Sequence, residues 1–165
     1  MCSMRKLNTG EILLEKDDIL LYLKNRPPLL LIDSARVMPG KYSISERRMD
    51  PKEWFFSCHF PGNPMMPGVL QLETSFQTAA MAIKTLDGYQ NKTTNIAQIN
   101  SVKYKTHIRP NDEILVDTKV IRFRRGLANM DAKITCNGLT CCEASFLLVV
   151  LDDIPQLEDN NEFNE

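Results

Sequence analysis

The chain offers few of the features that mark most function classes. Its longest apolar run, Phe146 to Leu151, is six residues, against the ~20 that a membrane-spanning helix needs. Residues 1–18 hold no apolar stretch of signal-peptide length, which predicts a cytoplasmic protein. A net charge of −1 and a pI near 6.1 leave no bulk surplus for nucleic acid or an anionic membrane. Five cysteines (2, 58, 136, 141 and 142) include no pair at metal-type two-residue spacing. Without an export signal they read as free thiols in a reducing compartment. There are only two histidines, His59 and His107, 48 residues apart with no acidic or cysteine cluster to complete a metal site. At 165 residues the chain has the length of one domain with one core.

What is present has a clear order. Asp17 and Asp18 are suited to cap a short helix over 19–24, which Arg26-Pro27-Pro28 stops. Leu29 to Val37 reads as a buried strand, and Pro39-Gly40 turns into a second over 41–49. Val69, Leu72, Phe76, Ala79, Ala80 and Ile83 recur at spacings of three and four, so an amphipathic helix is expected from about Gly68 to Leu86. Strand-like segments follow over 96–108, 113–124, 127–136 and 139–151, with Arg125-Gly126 and Asn137-Gly138 between the last three. Asn-Gly is a strong two-residue hairpin signal. A run of antiparallel strands must cover one face with apolar surface, and the long helix is the one candidate. The prediction is an α+β domain over 17–151, a sheet wrapped on a central helix. Residues 1–16 are set apart as an N-terminal extension. Residues 152–165 carry six acids and no base, which reads as a disordered tail.

The segment from His59 to Gln77 carries the chemistry. His59 lies on a loop stiffened by Pro61, Pro64 and Pro67, and that loop feeds the helix. Imidazole is the side chain best matched to base work near neutral pH; the bland reading is a loop histidine bonded for structure. With a helix start near Gly68, Glu73 falls about 7.5 Å along the axis at ~1.5 Å per residue, on or beside the apolar stripe. A buried carboxyl without a partner stays protonated and can serve as a general acid; the alternative is that Glu73 edges the stripe and reaches solvent. Gln77, one turn on, could orient it. The amides of Gly68 and Val69 at the helix start can receive an oxygen that gains negative charge. Together these groups fit removal of a proton alpha to a thioester carbonyl and loss of a beta-hydroxyl, as one reading among several.

At these residues the chain resembles the FabZ-type (3R)-hydroxyacyl-acyl-carrier-protein dehydratases, a hot-dog fold family. The family signature is matched by His59-Phe60-Pro61-Gly62, Met66-Pro67-Gly68-Val69-Leu70, Glu73 and Gln77. Arg26, Pro28, Leu30 to Asp33, Val102 to Lys105, Pro110-Asn111-Asp112, Arg125-Gly126 and Glu143-Ala144 extend the likeness over residues 17–151. Asn25 stands where the family usually has histidine, and Cys58 where it has glycine. The resemblance implies dehydration to a trans-2-enoyl thioester in fatty-acid or specialised acyl-chain synthesis. His59 would remove the alpha proton, Glu73 would protonate the departing hydroxyl, and Gly68 or Val69 would receive the thioester oxygen. It implies acyl carrier protein as partner, no cofactor beyond the carrier's phosphopantetheine arm, and active sites shared between the subunits of a homodimer, three of which commonly form a hexamer.

Other features have two readings each. Arg122, Arg124 and Arg125 could dock the acidic carrier, or be a solvated strand edge. Met65, Leu72 and Phe76 could line an acyl tunnel, or be core. Cys58 reads as a small buried thiol rather than a nucleophile. A hot-dog thioesterase and a non-catalytic acyl-carrier-binding module are the competing functions; the second has no need for both His59 and Glu73.

Overall fold

The computed structural model describes residues 5–7 and 9–153. Eight strands, β1 (Arg5–Lys6), β2 (Ile12–Glu15), β3 (Ser34–Met38), β4 (Tyr42–Arg48), β5 (Thr94–Tyr104), β6 (Glu113–Arg124), β7 (Leu127–Cys136) and β8 (Leu139–Val150), form one sheet. Its order is β1-β2-β3-β4-β6-β7-β8-β5, and every pairing is antiparallel. Helix α1 (Lys16–Tyr22) follows β2, and the long helix α2 (Gly68–Lys84) lies in the hollow of the sheet. This is the hot-dog architecture expected from the sequence.

The β6–β7 and β7–β8 hairpins turn where the sequence placed them. Arg125 and Gly126 (φ 51° and 74°) and Asn137 and Gly138 (φ 50° and 79°) take the left-handed pairs that a tight two-residue hairpin needs. Along β7, Ala128, Met130, Ala132 and Ile134 alternate inward. The outward face carries charge of both signs in cross-strand register, with Asp117 opposite Lys133 and Lys133 opposite Glu143.

Helix α2 departs from the amphipathic expectation. Thr74, Ser75 and Thr78 are buried along with Leu72, Ala79 and Ile83. The hydroxyls make this tolerable by donating to the carbonyls of Leu70, Gln71 and Thr74, one turn back. Thr78 also meets Ser45 Oγ of β4 at 2.6 Å. Val69, placed on the apolar stripe by periodicity, is 69% exposed.

Several boundaries move, among them the strand expected over 96–108, which runs over Thr94–Tyr104. The segment set apart as an extension supplies β1 and β2, and β2 pairs with β3 and buries Ile12 and Leu14. The first helix begins at Lys16, with Asp18 accepting from the amide of Glu15. Leu29 to Asp33 is not strand: Leu30, Leu31 and Ile32 are buried in an irregular segment that crosses α2, where the amides of Leu29 and Leu30 donate to the Arg26 carbonyl and that of Leu31 to Gln77. Asp152 and Asp153, assigned to a disordered tail, form a short 3-10 turn; Asp152 accepts from the amide of Thr93, and Asp153 from Tyr89 and Lys92. The rest of that expected tail lies outside the described residues. No helix among the described residues is long and apolar enough to cross a membrane.

Candidate active site

His59 leaves a short 3-10 turn (Trp54–Ser57) that Phe55 and Phe56 anchor in the core. Its Nδ1 lies 3.0 Å from the carbonyl oxygen of Met65. A carbonyl can only accept, so Nδ1 carries the hydrogen and Nε2 is left as the basic nitrogen. Backbone bonds from His59 to Phe55, Met65 to His59, and Met66 to Ile108 hold the loop, and Arg109 donates to Asn63 Oδ1 at 2.9 Å. The half-buried His59 stacks on the Phe60 ring at 4.0 Å.

Glu73 is positioned from two sides. Gln77 Nε2 donates to its Oε1 at 2.8 Å and Asn25 Nδ2 to the same oxygen at 3.1 Å. The orientation of Gln77 is set by the backbone: its Oε1 accepts from the Leu31 amide at 2.8 Å, and its Nε2 also reaches the Leu29 carbonyl. With Oε1 committed as an acceptor, a proton on this carboxyl belongs on Oε2. The segment misread as a strand is therefore what orients the acid. Asn25, noted in the sequence only as a departure, is a contact of Glu73.

Among the described residues of one chain, His59 and Glu73 line separate cavities. His59 lines an opening of about 520 Å³ with Met65, Gly68, Val69, Gln71, Tyr104 and His107. Glu73 lines another, of about 300 Å³, with Asn25, Phe76, Gln77, Lys84 and Ile96. Gly68 and Val69 at the start of α2 line the His59 opening, and their amides lack intrahelical acceptors, whereas those of Leu70 and Gln71 donate to the Pro67 carbonyl. A Cβ at Gly68 would stand 2.8 Å from the Tyr104 ring, which would have to shift to admit it. Buried Gln71 brings a side-chain oxygen with no hydrogen-bond partner among the described residues.

The FabA-like domain family matches residues 23–145. The 3-hydroxyacyl-[acyl-carrier-protein] dehydratase FabZ of Chloroflexus aggregans is 35% identical over 141 residues, covering 85% of this chain and 98% of that protein. The chain belongs to the FabZ-type dehydratase family. Solved structures share the fold at low identity. A chain of the dehydratase heterocomplex ApeI:P from Xenorhabdus doucetiae superposes with a TM-score of 0.55 at 17% identity, covering 67% of this chain and 88% of that one. A hypothetical thioesterase from Streptococcus pneumoniae TIGR4, solved with coenzyme A, gives 0.55 at 14%, covering 68% and 80%.

Within this dehydratase the remaining sequence-derived residues divide. Phe76 lines the Glu73 cavity, edge-on to Phe146 at 4.7 Å, and Met65 lines the His59 opening. Leu72 belongs to neither; it packs in the core, because one residue before Glu73 the helix face already points at the sheet. Met66 is also core. Cys58 is exposed rather than buried, its thiol directed at the Phe55 carbonyl. Arg122, Arg124 and Arg125 are exposed at the far end of β6, where Phe123 between them packs on Tyr89. Among the described residues no group of three or more His, Cys, Asp or Glu could hold a metal ion.

Proposed function

We propose that this chain dehydrates a (3R)-3-hydroxyacyl thioester on acyl carrier protein to the trans-2-enoyl thioester, at sites shared by two copies. The carrying observation is the disposition of the two half-sites about β5. Strand β5 is one edge of the sheet, and Ile99, its midpoint, is 47% exposed. Thr94, Asn95 and Ile96 at its start line the Glu73 cavity, while Tyr104 at its end lines the His59 opening. Antiparallel pairing of two β5 edges about Ile99 sets the start of one against the end of the other. Each Glu73 then faces a His59 from the partner, twice per dimer.

In that setting Nε2 of His59 takes the alpha proton. The electron pair moves toward the thioester oxygen, which the Gly68 and Val69 amides receive. As the alpha–beta double bond forms, the beta C–O bond breaks and Oε2 of Glu73 gives its proton to the departing hydroxyl, releasing water. His59 ends protonated and Glu73 ionised, and the proton returns through solvent. Phosphopantetheine carries the substrate and no other cofactor takes part. The reaction is placed in the cytoplasm, in fatty-acid or specialised acyl-chain synthesis.

Carrier docking belongs to Arg122, Arg124 and Arg125. None has an ion pair among the described residues, and through Phe123 they adjoin Tyr89 and Lys92, at the Glu73 cavity. Incubation with 3-hydroxyacyl-carrier substrates should yield a product lighter by one water, and His59→Ala should abolish it. A cleaved thioester would instead make the protein a thioesterase, and carrier binding without turnover a binding module.

A further inference from the structure

The Glu73 cavity does not have the lining of a simple alkyl tunnel. Glu73, Gln77, Ala80 and Lys84 follow one face of α2 and all line it. From Glu73 to Lys84 this face runs about 16 Å at ~1.5 Å per residue. The acid stands at one end, Phe76, Ala80, Ile96 and Leu148 give an apolar middle, and Lys24, Lys84 and Lys92 gather at the other end.

Lys84 is 4% exposed. Its ammonium donates to the carbonyl of Lys92, which accounts for one of its three hydrogens. Lys24 donates to Thr93 Oγ1 at 3.1 Å. Lys92 pairs with Asp153, while neither Lys24 nor Lys84 has a carboxylate at ion-pair distance among the described residues. Asp152 stands nearby, with one carboxylate oxygen accepting from the Thr93 amide. Burial, reinforced by Lys24, lowers Lys84 below the ordinary lysine range. An aliphatic chain ending here would leave a desolvated ammonium with unused donors, a costly arrangement. The helix C-terminus and the Lys92 carbonyl offset part of that cost but do not use the remaining donors.

We infer that the cavity takes a ligand bearing an anion about 16 Å, in units of ~1.5 Å helix rise, from the position of Glu73, with Lys84 and Lys24 as its receptors. The inference rests on the dehydratase reading only in making that ligand an acyl thioester. Two sources supply such an anion: a carboxylate ending the acyl chain, or the phosphate of the carrier's arm.

Calorimetry on the full chain with three saturated ligands, which lack the 3-hydroxyl and cannot be dehydrated, separates them. These are an alkanoyl-pantetheine, its omega-carboxy counterpart and the same alkanoyl-phosphopantetheine, each at several chain lengths. The anionic ligand that reaches Lys84 should bind at least about tenfold tighter than the neutral one, the scale of one charge-assisted contact. Lys84→Met should remove that preference by weakening the anionic ligand. Should Lys84→Met fail to fold, the exposed Lys24→Met should still reduce the preference severalfold. The ligand that shows the effect identifies the source. Equal affinities, no binding of any ligand, or a preference that survives both substitutions would overturn the inference. Failure of the dehydratase reading shows separately, as 3-hydroxyacyl substrates that lose no water.

Discussion

Gln77 Nε2 sits 2.8 Å from Glu73 Oε1, and the same side chain bonds the buried amide of Leu31 and the carbonyl of Leu29. One residue thus ties the acid to the segment that crosses the helix. Gln77→Leu should cost about 1–3 kcal/mol of stability, because the Leu31 amide loses its acceptor in the interior. It should also lower kcat, since Glu73 loses its orienting donor. Denaturant titration and steady-state kinetics read the two effects.

Asn25 makes the second bond to Glu73 from a half-buried position in the loop after α1. Asn25→Ala should lower kcat severalfold with stability changed by less than about 1 kcal/mol. Its effect should fall on kcat rather than KM. A uniform loss of folded protein would instead mark a structural role.

Gly68 bears directly on the Tyr104 ring. Gly68→Ala should reduce activity with little loss of stability, because the half-exposed ring can move, but only by disturbing the His59 opening it lines. Adding Tyr104→Ala should restore part of the activity. A double variant no better than the single would contradict this contact.

Burial pushes the Cys136 thiol up to about 12 and the Cys142 thiol up to about 11, from an ordinary 9.0. Both stay neutral in the folded chain while the unfolded chain ionises. Their contribution is therefore intact below pH 9 and falls as pH rises from there toward 11 and 12. Stability should drop across that window by up to about 1.4 kcal/mol per pH unit per thiol. Cys136→Ala/Cys142→Ala should flatten the drop. In the native protein at neutral pH, alkylation should reach exposed Cys58 before either.

Much of this molecule was legible before its coordinates. The Asn137-Gly138 turn, the alternation through β7 and the His59-to-Gln77 register depend on local backbone chemistry, which a single sequence displays. The misreadings share a cause in long-range context. Leu29 to Ile32 looks like strand because it is apolar, but its burial comes from lying over α2, with the Leu31 amide bonded to Gln77. Residues Ile12–Glu15 are too short to announce a strand until β3 stands beside them. Thr74, Ser75 and Thr78 stand outside the apolar stripe, and their burial depends on hydroxyls satisfied within the helix. Likewise, nothing in the spacing of His59 and Glu73 says that they open into different cavities.

That separation makes the shared site the central claim. Ile99→Asp, a charge at the middle of the exposed β5 edge, should give folded monomers without activity, seen by light scattering and circular dichroism.

The most direct measurement mixes two inactive variants. His59→Ala and Glu73→Gln, dissociated together and allowed to reassociate, form mixed dimers in which one of the two sites has both wild-type residues. Dehydration should return to about one quarter of the wild-type rate, since half the dimers are mixed and each has one intact site. A mixture as inactive as its components, with subunit exchange verified by mass, would place His59 and Glu73 in one chain's site and contradict the account.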